Sequence, residues 1–191
     1  MAIADQVLTL CGVAVGAATS YLTSFLIERR RGKREFAKQW SDRRFEAYGR
    51  YVSEAKNMFV LARRIAAFRG IQLTESPLDP SEGLALLAEA EARRELATEF
   101  VCLLAGPDAT NAHRRLNSII YRAEWFARGV ISDACPAEWA VIEADFNNAL
   151  NSFHSCVRKE LGIPGEYIPA IMTSRVNPRE WVSRLRKRAE P

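Results

Sequence analysis

The chain begins with 22 uncharged positions, QVLTLCGVAVGAATSYLTSFLI over 6–27, and then switches to a pattern in which apolar residues return every three or four positions. Phe36, Trp40, Tyr48, Tyr51, Ala55, Met58, Phe59, Ala62, Ile65 and Ala66 keep that spacing, which is the period of one helical face. No proline occurs before Pro77. The pattern therefore predicts one helix from the apolar stretch to Arg69, with Gly70 as a glycine cap behind a basic last turn.

Asp79-Pro80-Ser81-Glu82 reads as the start of a second helix: a capping aspartate, proline at the first helical position and glutamate three residues after the cap. It is expected to run to about Ala105, with Leu84, Leu87, Leu96, Phe100, Leu103 and Leu104 facing inward. Gly106-Pro107 opens a third helix, which carries Ala112, Leu116, Ile119, Ile120, Ala123 and Phe126 on one face and stops at Arg128-Gly129. A fourth carries Trp139, Ile142, Phe146, Ala149, Leu150, Phe153 and Val157 and stops at Leu161-Gly162. No segment alternates strictly enough to predict a strand. The class is all-α, and the short connections favour an antiparallel, up-and-down four-helix bundle.

The 22 uncharged residues change that picture. As a helix they reach ~33 Å against a hydrocarbon core of ~30 Å, so they are read as a transmembrane helix that continues into the first long helix. A buried core helix of a soluble protein is the competing reading, given the Gly, Ala, Ser and Thr in the stretch. A cleaved signal peptide would need basic residues before the apolar segment, and here they follow it. Arg29, Arg30, Arg31, Lys33, Arg34 and Lys38 crowd one end, while the other holds Asp5. By the positive-inside rule the N-terminus faces out and the rest is cytoplasmic, a single-pass cell-membrane topology. Gly12, Gly16, Ser20 and Ser24 recur every four residues and make a small-residue stripe. It is read either as a homodimer face or as the ordinary composition of membrane helices.

Charge is segregated along the chain. Residues 28–69 hold 13 basic and 5 acidic groups, residues 70–173 hold 8 and 15, and residues 174–191 hold 6 and 2. An acidic middle thus lies between two basic flanks. This divides the chain into an anchor (1–27), a basic juxtamembrane stalk helix (28–45), a cytoplasmic bundle (46–162) and a tail (163–191). The tail starts as an extended strap. Asn177-Pro178-Arg179-Glu180 then repeats a helix start, opening a short amphipathic helix with Trp181, Val182 and Leu185 on one side and Arg184, Arg186, Lys187 and Arg188 around it, an interfacial composition. Basic residues beside anionic lipid are worth about 1 kcal/mol each, so both flanks are expected to contact the leaflet, or else to be a topology signal and a solvated basic end. Nucleic acid is the rival partner for the same charges, yet no recognition helix, nucleic-acid fold or zinc module is visible.

Chemistry is scarce. There is no phosphate-binding glycine loop, no dinucleotide fingerprint and no helical zinc-protease motif. His113 and His154 lack an acidic or histidine partner at helical spacing. Cys11, Cys102, Cys135 and Cys156 show no metal or redox spacing and read as reduced thiols. The Arg-Arg pairs starting at 63, 93 and 114, near Glu89, Glu95, Glu99 and Glu124, are read as solvated ion pairs rather than an acid-base pocket. No catalytic residue, cofactor or metal is expected.

Trp40, Arg43, Arg44, Ala47 and Tyr48 in QWSDRRFEAY, Leu104, Gly106 and Pro107 in LLAGPDATNAHRRL, and Arg158, Leu161 and Gly162 in VRKELG together resemble a group of actinobacterial single-pass membrane proteins with a cytoplasmic helical bundle. The resemblance spans about residues 6–162. It implies the topology and no activity. The functional expectation is a membrane-anchored, non-enzymatic interaction or scaffold module with an unidentified protein partner. An enzyme or toxin-like effector with a site among the bundle charges is one alternative, and membrane-tethered nucleic-acid binding another.

Overall fold

The computed structural model describes residues 2–71, 76–131 and 135–169, with the side chains of 2–18 outside that set. Four helices account for almost all of it: α1 (Ala2–Phe68), α2 (Pro80–Leu104), α3 (Pro107–Arg128) and α4 (Pro136–Glu160). No strand occurs among the described residues. Their punctuation is the one the sequence announces. The side chain of Asp79 accepts from the Ser81 amide at 2.8 Å. Pro80, Pro107 and Pro136 stand at first helical positions, where the missing N–H costs nothing. Gly70 and Gly129 take φ of 75° and 70°, the left-handed conformation that closes helices and that β-carbon sterics penalise elsewhere.

The chain divides into two units, Met1–Arg43 and Arg44–Pro191. In the first, residues 2–43 are helical and 19–43 are exposed, with an Arg31–Glu35 pair at 3.0 Å and Phe36 set edge-on to Trp40 at 5.9 Å. Among the described residues no helix is long and apolar enough to cross a membrane. Most of the expected span over 6–27 has side chains outside the described set, and the part within it, 19–27, is exposed.

The second unit is the four-helix bundle. Contacts along α1 run against those of every neighbour except α3. Going up α1, Glu54, Met58 and Arg64 meet Arg93, Arg94 and Ser76 in turn, while Tyr48, Tyr51 and Phe59 meet Phe153, Phe153 and Phe146. Thr98 and Glu91 of α2 meet His113 and Arg128 of α3, and Arg122 and Phe126 of α3 meet Asp145 and Trp139 of α4. Successive helices are thus antiparallel. The core is aromatic between α1 and α4: Phe59 stacks on Phe146 with centroids 3.9 Å apart and on Trp139 at 5.9 Å. Each such ring buries ~150–250 Å².

The expected face of α2 holds only in its first half, where Leu87 is buried and Leu84 packs against the core. In α2 the buried positions are Gly83, Leu87, Ala90, Arg94, Ala97 and Val101, a strict four-three spacing. Leu96, Phe100 and Leu103 instead stand 51%, 43% and 78% exposed, although their size marks them as core. The reason is close approach. A β-carbon on Gly83 would lie 2.7 Å from Ile65 Cγ1, so α2 approaches α1 closely at its small side chains, and Leu96, Phe100 and Leu103 are left outside that contact.

The two ends of the packed helices meet. Glu160 pairs with Arg44 at 3.3 Å and accepts from the Gly106 amide at 2.9 Å. That carboxylate ties the start of the bundle part of α1, the α2–α3 turn and the end of α4 into one end of the bundle.

Candidate interaction surfaces

Three features of the bundle carry chemistry. The first is a buried polar network that sequence spacing alone did not reveal. Arg94 is 1% exposed; its Nε donates to Met58 Sδ at 3.2 Å and its Nη1 to Asn117 Oδ1 at 2.8 Å. The guanidinium carbon lies 4.8 Å from the ring centre of Tyr121. Asn117 Oδ1 also accepts from the Tyr51 hydroxyl at 2.9 Å, so its Nδ2 faces His113 Nε2 at 3.1 Å. That nitrogen must accept, which places the imidazole proton on Nδ1. Thr98 Oγ1 approaches the same Nε2 at 3.4 Å. No carboxylate pairs with Arg94 among the described residues, and its Nη2 and His113 Nδ1 are buried without a partner. Burial, then the charges of Arg94 and Arg114, hold His113 down to about 4, so it is neutral near pH 7. The network joins α1, α2 and α3 at one level. It offers a buried cation, a neutral histidine and no nucleophile, which suits helix registry better than catalysis.

The expectation for the Arg-Arg pairs is thereby divided. Arg93 is a surface ion-pair residue, bound to Glu54 at 3.2 Å and near Glu89 at 3.8 Å. Its neighbour Arg94 is core. The signal was present in the sequence: Arg94 falls on the four-three spacing of Leu87, Ala90, Ala97 and Val101, and a long amphipathic side chain can be tolerated there when its head finds partners.

The second feature is a groove of about 260 Å³ between α1 and α4. Phe45, Tyr48 and Val52 form one wall and Phe153, Val157 and Leu161 the other. Its polar edge is set by His154, whose Nδ1 lies 2.9 Å from the Tyr167 hydroxyl; that hydroxyl donates to Asn151 Oδ1 at 2.7 Å. The third feature is the outward stripe of α2. Leu96, Phe100 and Leu103 follow one another at helical spacing, with exposed Glu95 and Glu99 beside them and Glu89 on the turns before.

The residues singled out in the sequence fare unevenly. Arg29, Arg30, Arg31, Lys33, Arg34 and Lys38 lie on α1 and are all exposed; at 100° per residue they spread over about 200° of the helix circumference, one broad side of it. Ser20 and Ser24 are exposed and one turn apart. Gly12 and Gly16, and Trp181, Arg184, Arg186, Lys187 and Arg188, lie outside the residues whose side chains are described. No cluster of three or more histidine, cysteine, aspartate or glutamate side chains that could hold a metal occurs among the described residues.

No protein-family model, no curated protein and no solved structure matches this chain.

Proposed function

We propose that the protein is a single-pass membrane protein whose cytoplasmic helical bundle is a non-enzymatic docking module, and that the α2 stripe receives a basic amphipathic helix of a partner protein. The observation that carries the reading is the outward placement of Leu96, Phe100 and Leu103. A contiguous apolar stripe at positions i, i+4 and i+7 is how helix-recognising surfaces present their anchors, and large exposed apolar patches on folded domains mark contact sites. Glu95 and Glu99 beside the stripe set the charge of the partner, Glu89 being paired with Arg93: a second copy of the same face would bring like charges together, whereas a basic helix complements them.

Anchoring is supported by the uncharged 6–27 stretch and the basic residues that follow it. The bundle topology adds a second support. Arg44 and Glu160 meet, so the bundle part of α1 begins and α4 finishes at the same end of the bundle, which agrees with that end facing an anionic leaflet. The module then holds its α2 face at a set height above the lipid, with no cofactor required. Possession of a dimer through Gly12, Gly16, Ser20 and Ser24 is compatible with this and adds avidity rather than chemistry.

The test is crosslinking and affinity capture from native membranes with the wild-type chain and with the triple variant Leu96→Ser, Phe100→Ser, Leu103→Ser. A partner carrying a basic amphipathic helix should be held by the first and lost from the second, with the circular-dichroism spectrum unchanged. Equal capture by both sinks the docking face. Release of the wild-type chain from membranes by alkaline carbonate sinks the anchor separately.

A further inference from the structure

The groove between α1 and α4 is built differently from the α2 stripe. It is concave, its walls are apolar, and the sequence leaves it empty at one position: a β-carbon on Gly49 meets nothing within 4 Å. Gly49 is exposed on the α1 side of the groove, so a larger side chain there would project into its open space. At about 260 Å³ the space lies just below the ~300–1,000 Å³ typical of ligand pockets, which limits an occupant to a slim apolar body.

Polarity is confined to one edge. His154 and Arg158 sit one turn apart on α4 and both border the groove. The His154 Nδ1 contact with Tyr167 leaves its Nε2 as an acceptor, and burial followed by the charge of Lys56 keeps the imidazole below its usual pKa, hence uncharged. Arg158 is the charged group at that edge. Its Nη2 donates to the Pro164 carbonyl at 3.0 Å, while its Nε is buried without a partner. The nearest acid in sequence, Glu160, is committed to Arg44 and to the Gly106 amide. Arg158 as a whole is half-buried, and a guanidinium on the rim of an apolar slot is matched by an anion carrying a hydrocarbon chain.

We propose that this groove binds a medium-chain carboxylate of fatty-acid type, its chain along Phe45, Tyr48, Val52, Phe153 and Val157 and its head on Arg158. Tyr167 and Ile163, from the segment after α4, close the groove on the side where Arg158 is held. The site is independent of the α2 stripe, so either assignment can fail without the other.

Isothermal titration of the full chain with decanoate, and with decanol as the uncharged analogue, tests it. Decanoate is expected to bind saturably at one site, about tenfold or more tightly than decanol, and the difference should vanish in Arg158→Gln. Gly49→Leu crowds the α1 wall of the groove and abolishes binding of both. This variant replaces a helix-interior glycine with a better helix former facing open space, so its fold should hold, as circular dichroism can verify. Absence of saturable decanoate binding, equal affinity for decanol, or unchanged binding by Gly49→Leu overturns the proposal.

Discussion

Arg94 and Asn117 show how much a single buried side chain can decide. The guanidinium is taken out of water without a carboxylate, a loss that hydrogen bonds to Asn117 and Met58 and the Tyr121 ring offset only in part. Arg94→Met keeps the length and the contact with Met58 while removing the charge. It is expected to leave stability unchanged or raise it by about 1 kcal/mol, read as the midpoint of urea unfolding. Asn117→Ala should do the opposite. It strands the Tyr51 hydroxyl, Arg94 Nη1 and His113 Nε2 together, at a cost of about 3 kcal/mol. His113 adds a pH dependence whose sign is fixed by its depressed pKa. Above pH 6.5 the histidine is neutral in both folded and unfolded chains and contributes no slope. Between 6.5 and about 4 only the unfolded chain takes up the proton, so stability is lost as pH falls. The loss accumulates to roughly 3 kcal/mol by pH 4. His154, lowered for the same first reason, adds in the same direction. His113→Gln should flatten most of the slope in unfolding curves recorded from pH 7 to 4.

Helices α3 and α4 were legible in the sequence nearly residue by residue, because their apolar residues are large and lie on the face that is buried. Element ends were legible too, through Asp79, Pro80, Pro107 and the capping glycines, whereas the start of α4 at Pro136 was not singled out. Helix α2 was legible in its bounds and at Leu84 and Leu87, but not in the second half of its inner face. Size-weighted reading chose Leu96, Phe100 and Leu103, while packing chose Gly83, Ala90 and Ala97, because the gain from bringing two helix backbones close exceeds the gain from burying a few larger side chains at a distance. The polar network was hidden by the same misreading, since Arg94 makes sense only once the small residues define the inner face. Two substitutions distinguish the faces by unfolding midpoint. Gly83→Leu, driven against fully buried Ile65, should cost about 2–3 kcal/mol. Leu96→Ser, Phe100→Ser and Leu103→Ser should each stay within about 0.5 kcal/mol. If the outward leucines proved the costlier, the orientation of α2 would have to be rotated by about half a turn.

At the level of the whole chain, the charge distribution and the topology act together. Six basic residues follow the uncharged stretch at once, and six more lie beyond residue 173. In the sequence the two groups flank a middle stretch, 70–173, that is acidic. On the proposed reading the first group sets which side of the membrane the bundle occupies, since retention of juxtamembrane Arg and Lys on the cytoplasmic side is what orients short-looped single-pass proteins. The second group would contribute only surface attraction, at about 1 kcal/mol per residue, and would weaken as salt shortens the screening length. The two roles separate experimentally. Replacing Arg29, Arg30, Arg31, Lys33, Arg34 and Lys38 by Gln should leave the chain in the membrane but scramble its orientation. An N-terminal tag that reacts only from outside in the wild type would then react from both sides. Replacing Arg184, Arg186, Lys187 and Arg188 by Gln should leave orientation intact and lower only the salt-sensitive contact of the tail with anionic vesicles. A wild-type N-terminus labelled solely from inside would reverse the assignment of sides, and with it the claim that the acidic bundle and its α2 face meet cytoplasmic partners.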